Sequence, residues 1–70
     1  MKVGFIGFGN MAQALARGLA GTQAVRPEQI GACARDYDKL RRNTEPDGFR
    51  AFRDAAETVR FADMVIVAVK

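Results

Sequence analysis

Seventy residues with 11 Lys plus Arg, 8 Asp plus Glu, one Cys and no His, Trp or Ser exclude several chemistries at once. Without His or Ser no Ser-His or Cys-His nucleophilic pair can form, and a single Cys supplies neither a disulfide nor a thiolate cage for a metal. The length is that of a half-domain, since single domains run about 100 to 200 residues and short chains bury too little surface for a wide stability margin.

Hydrophobic residues make up 49% and charged residues 27%, the balance of a chain that folds around a core. The net charge is +3, but the densest basic stretch, Arg35 to Arg42, also holds Asp36 and Asp38. That pattern fits a solvated surface and no nucleic-acid partner. The longest apolar run, Met64 to Val69, is six residues, where a membrane span needs about 20. The apolar stretch after Lys2 breaks at Gly9-Asn10, too early for a signal peptide. The expectation is a soluble cytoplasmic protein with its thiol reduced and no membrane contact.

In chain order, Val3 to Gly7 is a continuously apolar strand of the kind found in parallel sheets covered on both faces. Met11, Leu15 and Leu19 recur at spacing four beside Ala12 and Ala16, which predicts an apolar stripe on a helix capped by Asn10 and stopping near Gly21. Gln29 to Ala34 is a second strand, and Tyr37 to Arg42 a short helix ended by Asn43. The Glu45-Pro46-Asp47-Gly48 turn follows, with Pro and Gly supplying the restricted and the positive φ. Phe49 to Phe52 is a brief third strand. Asp54 then caps a helix through Arg60 with Ala55, Ala56, Val59 and Phe61 inward, and Met64 to Val69 is the fourth strand. The order β-α-β-α-β-α-β specifies an α/β, Rossmann-type doubly wound parallel sheet, partial because it stops after the fourth strand. Seventy residues then read as part of a larger protein, because a terminal apolar strand leaves an unpaired edge.

Gly7-Phe8-Gly9-Asn10-Met11-Ala12 is a G-x-G-x-x-A turn set between that first strand and first helix. Gly7 permits the tight turn, Gly9 lacks a β-carbon so that a pyrophosphate can approach the main chain, and Ala12 lets helix and strand pack closely. The helix start offers unpaired N–H groups and a partial positive charge to an anion. NAD-binding domains place a carboxylate about 20 residues beyond the fingerprint. Ala34 stands there, 22 residues past Ala12, and Arg35 follows. A guanidinium suits a 2′-phosphate, so NADP(H) is preferred, while Asp36 one place further keeps NAD(H) open. Ala68, Val69 and Lys70 end the last strand, beside the crevice where ligands bind in such sheets. Lys70 equally marks a buried strand re-entering water. Cys33 reads as a small buried hydrophobe, and Tyr37 as a packed ring.

Met1-Lys-Val-Gly-Phe-Ile-Gly-Phe-Gly-Asn-Met-Ala12, then Ala14-Leu-Ala-Arg-Gly-Leu19 and Ala62-Asp-Met-Val-Ile-Val-Ala-Val-Lys70, together resemble the N-terminal dinucleotide-binding domain of pyrroline-5-carboxylate reductases. The resemblance covers all 70 residues, and the Gly-Asn-Met turn and the final Ala-Val-Lys are its specific parts. It implies an oxidoreductase of proline biosynthesis whose substrate is 1-pyrroline-5-carboxylate. It also implies a helical C-terminal domain outside this chain that forms a homo-oligomer and completes the substrate pocket. By the same likeness Ile6, Gly7, Phe8, Gly9, Asn10, Met11, Ala34, Arg35, Ala68, Val69 and Lys70 touch NADP(H). The family's Asn after the third strand is replaced here by Ala55, preceded by Asp54. Dehydrogenases of the 3-hydroxyacid and 6-phosphogluconate type and NADP reductases that use coenzyme F420 begin similarly, and a non-catalytic nucleotide-binding module is the rival of another class. No residue in the chain is a convincing proton donor, so the catalytic residues are unassigned and the 70 residues alone are expected to bind nucleotide without turnover.

Overall fold

The computed structural model describes residues 1–69; Lys70 lies outside them. The elements are β1 (Val3–Ile6), α1 (Asn10–Gly21), β2 (Ile30–Cys33), α2 (Tyr37–Thr44), β3 (Arg50–Phe52), α3 (Ala55–Phe61) and β4 (Met64–Val67). All four strands are parallel, in the spatial order β3-β2-β1-β4. The predicted alternation of strands and helices is the observed one. Each strand is shorter than its apolar run, because Gly7, Ala34, Ala68 and Val69 belong to the connections that leave the sheet.

Side chains alternate across a strand, and the two faces of this sheet solve the packing problem differently. On one face Val3, Phe5, Ile30 and Ala32 are buried and meet Ala12 and Ala16 of α1, Leu40 of α2, and Phe8 and Phe49. Phe8 bridges Phe5 and Phe49 in two edge-to-face contacts, with centroids 5.9 and 6.2 Å apart. The other face has glycine where large residues would stand. Gly4 and Gly31 are register partners on adjacent strands, and α3 lies directly on them. A β-carbon on Gly4 would come within 2.8 Å of Thr58 Cγ2 and 2.9 Å of Ala62 Cβ, and one on Gly31 would collide with the Phe52 ring.

Two inward faces differ from expectation. On α1 the buried positions are Ala12 and Ala16, while Met11 is 78% exposed and Leu15 47% exposed. The spacing-four stripe divides: α1 approaches the sheet through the methyl groups of Ala12 and Ala16, with Leu19 half-buried against the core, while Met11 and Leu15 remain outside in a shallow apolar patch with Ala14, Gly18 and Thr22. On α3, Ala55, Ala56 and Val59 are exposed and Thr58 is fully buried, with Phe61 half-buried against Phe52 at 5.0 Å. Thr58 satisfies its hydroxyl by donating to the Asp54 carbonyl, 3.0 Å away, so a small polar residue fits the tight glycine face without an orphaned group. Helix α2 runs through Asn43 to Thr44, whose hydroxyl donates to the Leu40 carbonyl at 2.9 Å. The chain then turns through Glu45–Asp47 to Gly48, at φ 77°.

Gly4→Val is expected to lower the unfolding free energy by about 1–3 kcal/mol, the usual range for overpacking a tight contact, whereas Met11→Gln on the exposed face should change it by less than about 0.5 kcal/mol. Urea denaturation checks both, and a Gly4→Val variant as stable as the parent would contradict the seating of α3.

Candidate functional site

At the carboxyl ends of the strands, where β1 stands between β2 and β4, the chain leaves β1 through Gly7 at φ 95°. The conformation favours glycine, and the space demands it, since a β-carbon there would lie 2.8 Å from Val69 Cγ1 and 2.9 Å from the Ala68 carbonyl oxygen. The turn is tied to both neighbouring strands: the Gly7 N–H donates to the Cys33 carbonyl at 2.9 Å, and the Ala68 N–H to the Ile6 carbonyl at 2.7 Å. Gly9 differs, because a β-carbon on it would meet no protein atom within 4 Å. Protein packing therefore does not require glycine there.

Helix α1 starts from this loop without a cap. Gly9, not Asn10, occupies the N-cap position, at φ −75° and ψ −171°; no side chain bonds the first-turn N–H groups, and no acid sits in that turn. Helices α2 and α3 are both capped, by Asp36 accepting from the Lys39 N–H at 3.1 Å and by Asp54 accepting from the Glu57 N–H at 2.9 Å. Asn10 fails as a cap because the extended residue that precedes the helix is already Gly9. The result is an open, positively polarised helix start.

That start faces a groove of about 880 Å³. Ile6, Gly7, Phe8, Gly9, Asn10, Ala34, Arg35, Ala68 and Val69 line it, as do Gln13, Cys33, Lys39, Leu40, Asn43, Asp54 and Ala55. Met11 is not on its wall and points to solvent with the apolar patch of α1; Lys70 falls outside the described residues. Arg35 is exposed on the wall, and Lys39 and Asn43 follow on α2 at spacing four, one turn above the other. Asp36 is absent from the wall, its carboxylate turned to the α2 cap. The sequence reading leaves both out of the site, Lys39 because it assigns no inward face to the Tyr37–Arg42 helix and Asn43 because it takes that residue as the helix end; once Leu40 is the buried position, 2% exposed, those two flank it on the groove side. Cys33 is buried on β2, and the Tyr37 ring carries the Arg53 guanidinium 3.7 Å from its centroid. The Arg41 guanidinium is held above its ordinary range by its hydrogen bond and charge pairing with Glu45, on the exposed side of α2.

An open parallel sheet with an uncapped glycine-turn helix start over a groove at its carboxyl end defines a dinucleotide-binding architecture of the Rossmann type. The chain belongs to the family described as NADP oxidoreductase, coenzyme F420-dependent, whose model matches residues 2–70. It is similar over its whole length to pyrroline-5-carboxylate reductases: 40% identical to that of Treponema pallidum over 100% of this chain and 27% of the relative, and 38% identical to that of Escherichia coli over 99% of this chain and 26% of the relative. A solved pyrroline-5-carboxylate reductase from Coxiella burnetii superposes with a TM-score of 0.83 at 34% identity, covering 97% of this chain and 25% of that one. The chain thus spans about a quarter of the length of the curated relatives it matches. No helix among the described residues is long and apolar enough to cross a membrane.

Replacing Asp36 by Ala should destabilise the protein by about 1 kcal/mol, the usual value of an N-cap. Unchanged stability in chemical denaturation would mean that the carboxylate is not committed to α2.

Proposed function

We propose that this chain is the NADP(H)-binding part of a pyrroline-5-carboxylate reductase, which reduces the C=N bond of 1-pyrroline-5-carboxylate to give L-proline. The observation that carries the cofactor assignment is the α1 N-terminus, open beside Gly9 while both other α-helices are capped by Asp. Its donors suit a pyrophosphate, and the clear space over Gly9 admits one. Arg35 and Lys39 would hold the adenosine 2′-phosphate, because both stand on the groove wall and the competing Asp36 carboxylate does not. Ala68 and Val69 would line the nicotinamide half, on the β4 side of the groove.

When bound, the cofactor supplies the hydride. The chain's own part is to fix the dinucleotide along the strand ends and to exclude water from one side of it. Substrate binding, protonation of the reduced nitrogen and homo-oligomer formation belong in this reading to a helical domain outside the 70 residues, in keeping with the quarter of the relatives' length that the chain spans. The setting would be the cytoplasm. The family's description favours a second reading, reduction of NADP by coenzyme F420; the names of the similar full-length proteins favour the imine substrate.

Arg35→Ala is expected to weaken NADPH binding by about ten- to a hundredfold, the worth of one charged hydrogen-bond set on a phosphate, while NADH binding changes by less than about threefold. Calorimetric titration reads both, and equal losses for the two nucleotides would remove Arg35 from the 2′-phosphate. For the reaction, the whole protein should oxidise NADPH when given 1-pyrroline-5-carboxylate. Oxidation that depends on coenzyme F420 instead would replace the proposed substrate.

A further inference from the structure

The Phe8–Gly9 peptide is the unit that presents the glycine loop to the groove, and its orientation is set from outside the loop. The Phe8 side chain is buried between Phe5 and Phe49, which anchors one end. Its carbonyl oxygen accepts a hydrogen bond from Gln13 Nε2 at 3.1 Å, reaching back from the first turn of α1. The described residues contain no cis peptide, so the N–H of Gly9 points opposite to the carbonyl that Gln13 holds. That N–H has no partner among the described residues. The other half of the Gln13 amide is also engaged: Oε1 accepts from Arg17 Nη2 at 3.4 Å, and Arg17 Nε donates to Asp47 Oδ2 at 2.9 Å in the turn after α2. A chain of polar contacts therefore runs from Asp47 through Arg17 and Gln13 to the Phe8 carbonyl.

We propose that Gln13 is a positioning residue for the pyrophosphate: by holding the Phe8 carbonyl, with its own amide braced by Arg17 and Asp47, it aims the Gly9 N–H at the phosphate oxygens. This rests on the cofactor reading above. Nothing in the motif requires an amide at position 13, since the fingerprint constrains only Gly7, Gly9 and Ala12. Without the side-chain bond the peptide can rotate and present its carbonyl oxygen to the anion, which is repulsive.

The test titrates the protein with NADPH and, in parallel, with adenosine 2′-monophosphate, which has the 2′-phosphate but no pyrophosphate. Gln13→Leu should weaken NADPH binding by about two- to tenfold, one hydrogen bond's worth, and leave adenosine 2′-monophosphate unchanged. Arg17→Ala, whose side chain is off the groove wall, should show the same pattern to a smaller extent. In the nucleotide-free protein the Gly9 amide ¹⁵N resonance should move in both variants. If Gln13→Leu fails to fold, Gln13→Glu serves: it keeps the shape but replaces the donor with an acceptor facing the Phe8 carbonyl, and should weaken NADPH at least as much. NADPH binding at the parent affinity in these variants, or equal losses for both ligands, overturns the positioning role while leaving the cofactor reading intact. A parent protein that binds adenosine 2′-monophosphate but not NADPH overturns both.

Discussion

Everything at the site depends on how the chain leaves β1. As an inner strand, β1 ends between β2 and β4, and the exit at Gly7 is hydrogen-bonded to both sides, to Cys33 and, through Ile6, to Ala68. The φ of 95° is accessible to glycine at little energy, and the lack of a β-carbon lets the backbone pass against Ala68. These constraints together leave one direction for α1, with its uncapped start over the strand ends. Moving that exit by one residue of register would turn the buried face of β1 to the other side of the sheet.

The two faces of the sheet support this arrangement by opposite means. On the α1–α2 face a ring-and-methyl core built on Phe5, Phe8 and Phe49 holds the loop down from below. On the α3 face, paired glycines at Gly4 and Gly31 let a seven-residue helix lie close enough that its capping residue, Asp54, reaches the groove. Ala55 stands beside it on the same wall. The groove is thus lined by backbone at the glycine turn and by the cationic side chains of Arg35 and Lys39 on the β2–α2 side.

Much of this was legible in the sequence because it is local. The glycine turn, the apolar strands and the Pro46–Gly48 turn are each specified by residues within a few positions of one another, and they lie where the pattern puts them. The inward faces of α1 and α3 were not legible. Leu and Met at spacing four and Ala at spacing four fit a helix equally well, and only the closeness of the sheet decides that Ala12 and Ala16 go inside. Thr58 was hidden for the same reason, since a polar residue becomes a core residue only when its hydroxyl finds the Asp54 carbonyl. Lys39, Asn43 and Gln13 reach the groove through the placement of whole helices, which no short window of sequence encodes.

The claim at the centre is that the open start of α1 binds the pyrophosphate of a nicotinamide dinucleotide. Amide chemical-shift mapping of the ¹⁵N-labelled protein during titration with NADPH tests it most directly. The largest shifts are expected at Gly7, Gly9, Asn10 and Met11, with a second group at Arg35, and little change on the remainder of α3. Saturating NADPH that leaves the Gly7–Met11 amides unmoved, or that shifts chiefly the exposed face of α1 at Leu15 and Gly18, would contradict the account.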